Sequence, residues 1–409
     1  MSRDYTQTIE SRKATQERHA QMTCKVFKLK IIKSKLSKYQ KEMLAKFFRQ
    51  ANYVYNSLVA DSTSFKASDK EVIILCGDHY ESRQLDLGSG IKQGIHEKFI
   101  TNCKSLKGKK ANGDNIGKLK FKSYANVIPL KQYQNTYNID FDKNTVKIQC
   151  INQEFKVRGL KQIPSNAEIC NAELVRKASG YYIHVITYAP KEPKQISLKQ
   201  VGLDFGIKSN ITLSNGEKYN IKVPESKGTK LASRRMNHKK KGSKNWQKAQ
   251  KKLRVAYEKD MNKKLDAAKK LVSYLNSYSL IAYQDENLQE WHKEFGKSVQ
   301  YSAMGFIKAA LKTKAGSVMI DRYFPSTQIC PICGKLTPQP LSKRDYDCDY
   351  CGYHHDDRDV KAAQVNLRYA RVSLGRRANS LVELKTTVLE RFSSSVSLGC
   401  EAGRSYPLG

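Results

Sequence analysis

The stretch Tyr323–Leu367, YFPSTQICPICGKLTPQPLSKRDYDCDYCGYHHDDRDVKAAQVNL, sets two chemistries one after the other. Cys330 and Cys333, then Cys348 and Cys351 after fourteen intervening residues, repeat a Cys-x2-Cys step with the spacing of a zinc ribbon. Four thiolates close a tetrahedron with no open position, so the Zn²⁺ expected here is structural and staples a knuckle with little core of its own. Asp356, Asp357 and Asp359 follow almost at once. Asp356 and Asp357 read as surface and cap residues of a final helix. Asp359 falls on one side of that helix with Ala362, Ala363 and Asn366, which makes it the acid to match with others elsewhere in the chain.

Charge narrows the partner. Among 409 residues, 74 are Lys or Arg and 38 are Asp or Glu, a net charge of +36 that calls for a polyanion. Nucleic acid fits better than a membrane, because no apolar run approaches the roughly 18 residues a spanning helix needs. Of ten cysteines, four form the cage and six are scattered without pairing rhythm, the usage of a reducing compartment. The polar opening, MSRDYTQTIESRKATQERHAQ, lacks the apolar segment of a signal peptide, so an intracellular place is expected.

Outward from the knuckle, texture suggests the domains. Residues 1–22 read as a flexible leader. CKVFKLKII predicts a strand with a basic face, and Ser37 caps a helix to about Val59 whose Leu44, Phe47, Phe48, Ala51, Val54, Tyr55 and Leu58 share one stripe. More helix is expected to about Cys103, then a basic loop. From Tyr124 to Pro190 short β-like runs take over, with a hairpin turning at Ala178, Ser179 and Gly180, and with residues 24–32 they predict a small barrel. The expected partition is a barrel over 23–36 and 124–198, a helical domain over 37–123, an α/β domain over 199–326 and 354–372, the zinc ribbon over 327–353, and a loosely ordered tail over 373–409.

Within the α/β domain, VGLDFGIKSNITL predicts one strand of a hairpin that turns at Ser214, Asn215 and Gly216, with Asp204 on its open face between Gly202 and Gly206. From Lys227 to Arg254 no acid interrupts the basic residues. The helix there, with Arg234, Arg235, Lys239, Lys240, Lys241, Lys244 and Lys248, is expected to bind phosphates. SLIAYQDE predicts a buried strand ending at Asp285 and Glu286. Asn287–Ser302 resembles a mobile lid, and SVMIDRYF is a further strand.

Strand alternation sends Asp285 and Glu286 to opposite faces, and Glu286 is the one taken for the site. An Asp-bearing hairpin, helices, a strand ending in Glu, a helix, a strand and a helix bearing Asp is the order of the RNase H-like fold. Asp204, Glu286 and Asp359, with little other protein ligation, suit Mg²⁺. Two such ions roughly 4 Å apart assist phosphodiester hydrolysis.

GLDFGIK, QDENL, YFPSTQICPICG and CDYCGYHHDDRDVKAAQVN resemble the RuvC nuclease motifs and inserted zinc ribbon of the TnpB family, insertion-sequence proteins ancestral to compact type V CRISPR effectors. KKGSK at 240–244 and KSVQYSAMGFIKAAL are similar too, and KVFKLKI and FFRQANYVYNSL agree more loosely. The resemblance implies an RNA-guided DNA endonuclease of a transposon or compact CRISPR system, in the cytoplasm and on the nucleoid of a prokaryote. It also implies catalytic Asp204, Glu286 and Asp359, a wedge-type barrel with an inserted recognition domain, a guide RNA, and double-stranded target DNA beside a short motif. A cleavage-deficient guided repressor and a guide-independent RuvC-like resolvase or transposase are the competing readings. The chain departs from the family at Lys361, where Asn is usual two residues after the last acid. A lysine there is expected to pair with a phosphate or to lower metal affinity.

Overall fold

A computed structural model describes residues 6–76, 79–113, 115–191, 197–340 and 342–375. They fall into two compact units that divide between 193 and 194.

The first unit begins with helix α1 (Thr6–Ala20) where a flexible leader was expected. Strand β1 (Met22–Ile31) follows, burying Leu29 and Ile31 while Lys28 and Lys30 stay exposed, as the alternation requires. Helix α2 (Lys38–Ala60) starts in a capping box: the Ser37 hydroxyl accepts from the Gln40 amide and the Gln40 side chain accepts from the Ser37 amide. All seven apolar positions of its predicted stripe are buried. The helical stretch expected next is instead a hairpin, β2 (Glu71–Cys76) and β3 (His79–Gln84), and then α3 (Ser89–Ala111), which extends into the expected basic loop. Strands β4 (Val127–Leu130), β5 (Tyr137–Asp140), β6 (Thr145–Ile148), β7 (Phe155–Arg158), β8 (Glu168–Lys177) and β9 (Gly180–Pro190) complete a seven-stranded antiparallel, barrel-like sheet in the order β4-β8-β9-β1-β7-β6-β5. Its interior and the stripe of α2 share one apolar core.

The second unit is built on strand β10 (Ser197–Phe205). The run predicted as one strand turns at 206–210, so β11 (Ile211–Leu213) lies antiparallel to β10, and the turn at Ser214–Gly216 leads to β12 (Lys218–Tyr219). Serines cap two basic helices, α4 (Lys227–Asn237) and α5 (Lys244–Leu275), where one was expected. Then come β13 (Tyr278–Gln284), α6 (Leu288–Tyr301), α7 (Met304–Lys312) and β14 (Ser317–Ile320). The expected lid is thus helix α6, kinked at Gly296 where φ is +24°. Strands β15 (Tyr346–Asp347) and β16 (His354–His355) form the knuckle's ladder, and α8 is helical from 358 to 375, where description stops. Of the tail expected over 373–409, residues 373–375 continue α8 instead, and the rest lies outside the described residues.

Parallel neighbours need crossovers, and these arrange the layers. In the order β12-β11-β10-β13-β14, strands β10, β13 and β14 run parallel, joined through α4–α5 and through α6–α7. Val201, Leu203 and Phe205 pack with Ile281 and Tyr283 against Ala268, Leu271 and Leu275 of α5 and Ile307 and Leu311 of α7. The other face, Gly202 and Ala282, lies under α8. The result is a three-layer α/β sandwich.

Candidate metal centres and nucleic-acid face

The knuckle is two matching turns. The Gly334 amide donates to the Cys330 carbonyl and the Gly352 amide to the Cys348 carbonyl, and both glycines take positive φ, +75° and +69°, which closes each turn without a Cβ clash. The four sulfurs lie within 4.8 Å of one another, with Sγ separations of 3.6 Å for Cys330–Cys351 and for Cys333–Cys348. A tetrahedron with Zn–S of about 2.3 Å has S···S edges of about 3.8 Å, so the donor set and its spacing fit one zinc ion with no position to spare.

Asp204 ends β10 and Glu286 lies two residues beyond β13. Because the strands are parallel, with Leu203 opposite Tyr283, both acids emerge at the carboxyl edge of the sheet, where α/β folds place their sites. Asp359 stands in the first turn of α8, whose amides at 359 and 360 donate to the Asp357 carboxylate. Asp357 is therefore the cap expected from the sequence, while the Asp356 side chain is 96% exposed.

Burial pushes the Asp204 carboxyl well above the usual carboxylate range, and the negative charges of Asp359 and Glu286 push it further, with Arg358 and Lys361 opposing weakly. Burial also raises Glu286. The three carboxylates are electrostatically joined at Asp204, although they do not form a group within 4.8 Å as the thiolates do. Asp285 faces other partners: Lys308 at 2.5 Å and Arg322 at 3.7 Å hold its carboxyl below the usual range. Asp359 has a longer contact, 3.8 Å, with Arg344. A half-buried carboxyl crowded by two like charges is a site that a hard cation relieves, so the residues present fit Mg²⁺.

Lys361 is the residue whose role the sequence did not reveal. Its side chain is fully buried, and its ammonium donates to the carbonyls of Ser326 (3.1 Å), Thr327 (2.7 Å) and Ile329 (3.1 Å) while lying 3.8 Å from the Tyr346 ring centroid. Burial lowers its pKa to about 8. It is committed to the chain entering the knuckle, so the expected phosphate contact is not what occupies its donors. Asn366, five residues on, donates to the Leu203 carbonyl at 2.9 Å and fastens α8 to β10 beside Asp204. The glycine before Asp204 serves the same packing. A Cβ on Gly202 would sit 1.8 Å from the Ala363 carbonyl oxygen, so this face is covered by a helix, where the sequence suggested an open one.

The seven basic residues chosen from the sequence, Arg234, Arg235, Lys239, Lys240, Lys241, Lys244 and Lys248, are exposed on the α4–α5 hairpin, and among the described residues no ion pair reaches any of them. Asp260 braces the hairpin from α5 by accepting from Thr229 (2.6 Å) and from the Ser226 amide (3.0 Å) at the start of α4. His238, Asn245 and Lys252 join Arg235, Lys239 and Lys248 in lining the cleft between the two helices.

The fold and site define a two-unit protein that combines a barrel-like sheet with an α/β domain carrying a four-cysteine knuckle and three electrostatically joined carboxylates. A "Probable transposase" family model matches residues 183–285 and a "Cas12f1-like, TNB domain" model matches 306–366. A curated relative from Streptomyces pristinaespiralis, named "Putative RNA-guided DNA endonuclease", is 29% identical over 221 residues, which is 51% of this chain and 54% of the relative. The chain thus spans about half the length of that relative. A solved Cas12f1–sgRNA–target DNA complex is similar over 85% of this chain and 99% of its own at 12% identity, with a TM-score of 0.47. Among the described residues no helix is long and apolar enough to cross a membrane.

Proposed function

We propose that the protein is an RNA-guided DNA endonuclease whose second unit hydrolyses phosphodiester bonds by RuvC-type chemistry with Mg²⁺. The observation that carries this reading is the half-buried Asp204 carboxyl at the carboxyl edge of a parallel sheet, with Glu286 just beyond the neighbouring strand and Asp359 in the first turn of α8. Asp204, Glu286 and Asp359 would hold the cations. Bound there, Mg²⁺ supplies Lewis acidity to the attacking water and the leaving oxygen. The chain's own part is to desolvate and orient the acids, through Asn366 and the Gly202 contact, and to draw the phosphate backbone to the α4–α5 hairpin. The first unit is assigned the wedge-type barrel with its inserted recognition domain, contacting guide RNA and the motif beside the target, and the whole acts on double-stranded DNA in the cytoplasm.

The test is cleavage of a plasmid carrying the target by protein purified with its copurifying RNA, with Mg²⁺ added. Wild type linearises the plasmid; Asp204→Ala and Glu286→Gln lose cutting by at least about a thousandfold and keep binding. Guided binding by the wild type with no cutting would instead indicate a repressor. Cutting that survives complete removal of the RNA would indicate a guide-independent nuclease.

A further inference from the structure

A second cluster of metal-ligating side chains lies in the first unit, remote in sequence from the knuckle. His19 Nε2, a Glu168 carboxylate oxygen and Cys170 Sγ lie within 4.8 Å of one another, at 3.2 Å from His19 to Glu168, 4.0 Å from Cys170 to His19 and 3.9 Å from Cys170 to Glu168. Tetrahedral zinc with ordinary Zn–N, Zn–O and Zn–S lengths gives ligand–ligand edges of about 3.4 to 3.6 Å, a span these distances bracket. Imidazole, thiolate and carboxylate together suit Zn²⁺ and not a hard cation such as Mg²⁺.

The sheet register builds the cluster. Glu168 of β8 and Cys24 of β1 both stand opposite Tyr188 of β9, so one row across three strands carries Glu168, Tyr188 and Cys24 on the same face. The register shift in β8 between Ile169 and Ala172 puts Cys170 in an irregular turn of the strand beside that row. His19 comes from α1, its ring stacked flat on Tyr188 with centroids 3.8 Å apart and planes 5° from parallel. Arg18 holds the Glu168 carboxylate through both of its oxygens, at 2.5 and 3.0 Å, which orients it as an outer hydrogen bond orients a metal ligand.

A second observation asks for a ligand here. Helix α1 has no apolar stripe: of its side chains whose burial is described, only Thr15 and His19 are even half-buried, and the rest are exposed. A helix polar all round gains little from burial, so its hold on the sheet rests on the last turn, where Arg18 and His19 meet Glu168. We propose that His19, Glu168 and Cys170 bind a second Zn²⁺, with Cys24 or water in the fourth position, and that this ion pins α1 to the β8–β9–β1 face. The proposal is independent of the nuclease reading.

Zinc content of the intact, reduced protein tests it, read by mass spectrometry after gel filtration in metal-free buffer. Wild type should carry two zinc ions per chain, with one in His19→Gln and one in Cys170→Ala. One ion should also remain in the double variant Cys330→Ser, Cys333→Ser. If that variant fails to fold, adding Zn²⁺ alone to chelator-treated wild type serves instead: trypsin cleavage at Arg12, Lys13 and Arg18 should slow several-fold, and His19→Gln should show no such response. One zinc per wild-type chain, unchanged by His19→Gln and Cys170→Ala, would overturn the proposal, as would equal zinc protection of α1 in wild type and His19→Gln.

Discussion

Gly202 has no room for a side chain, and the obstacle is backbone. The Ala363 carbonyl oxygen, 1.8 Å from where a Cβ would stand, cannot rotate away as a flexible side chain could, so α8 itself must shift. Gly202→Ala should therefore cost about 1–3 kcal/mol or more and disturb Asp359, which α8 carries. A thermal midpoint equal to wild type would show that α8 tolerates the shift. Asp285 lends itself to a pH test. Lys308 holds its folded pKa below the unfolded value of about 3.9, so its stabilising contribution is present above about pH 4 and vanishes as pH falls through the folded pKa. With the carboxylate about a third exposed, the contribution is under about 1 kcal/mol. Asp285→Asn should unfold slightly below wild type at pH 6 by urea titration, and the gap should close below about pH 3. A gap that stays constant across that range would mean the ion pair is not its origin.

At the scale of elements, α4 and α5 present their basic residues as a braced hairpin. Asp260 ties the start of α4 to α5, so Arg234, Arg235, Lys244 and Lys248 are displayed on two braced helices. Lys239, Lys240 and Lys241 lie at and just after the end of α4, in the connection to α5. If each neutralises one phosphate, replacing all three with Gln should lower the slope of log affinity against log salt by about 2 to 3, read by anisotropy with labelled nucleic acid. An unchanged slope would move the phosphate contacts elsewhere. In helix α6, Gly296, at φ +24°, lets one helix bend where the sequence suggested a mobile lid.

At the scale of the whole second unit, Lys361 links two parts with different sources of order. The knuckle has four thiolates spaced to be ordered by a zinc ion, whereas the sandwich is ordered by its apolar core. Three carbonyls of 326–329 meet one ammonium from α8, so order in the knuckle reaches the helix that bears Asp359. Withdrawing zinc with a chelator should raise amide exchange across 323–355 and also in the first two turns of α8, with both effects reversed by restoring one equivalent. Faster exchange confined to the knuckle would show that the lysine does not transmit the change.

Several features that near neighbours along the chain encode were legible in the amino acids alone, whereas α1, the β2–β3 hairpin and α6 were not. The Cys-x2-Cys turns, the Ser37 cap, the α2 stripe and the hairpin at 178–180 are each specified within a few residues, and each appears as read. The order of acidic residues among alternating elements was legible for the same reason. How distant groups share out their contacts was settled by packing in three dimensions: Lys361 turns to carbonyls and an aromatic face, Gly202 makes room for α8, and His19 meets Glu168 and Cys170 across some 150 residues. Those outcomes depend on parallel register and on which surfaces are buried against each other, and neither quantity is written in any local window of the chain.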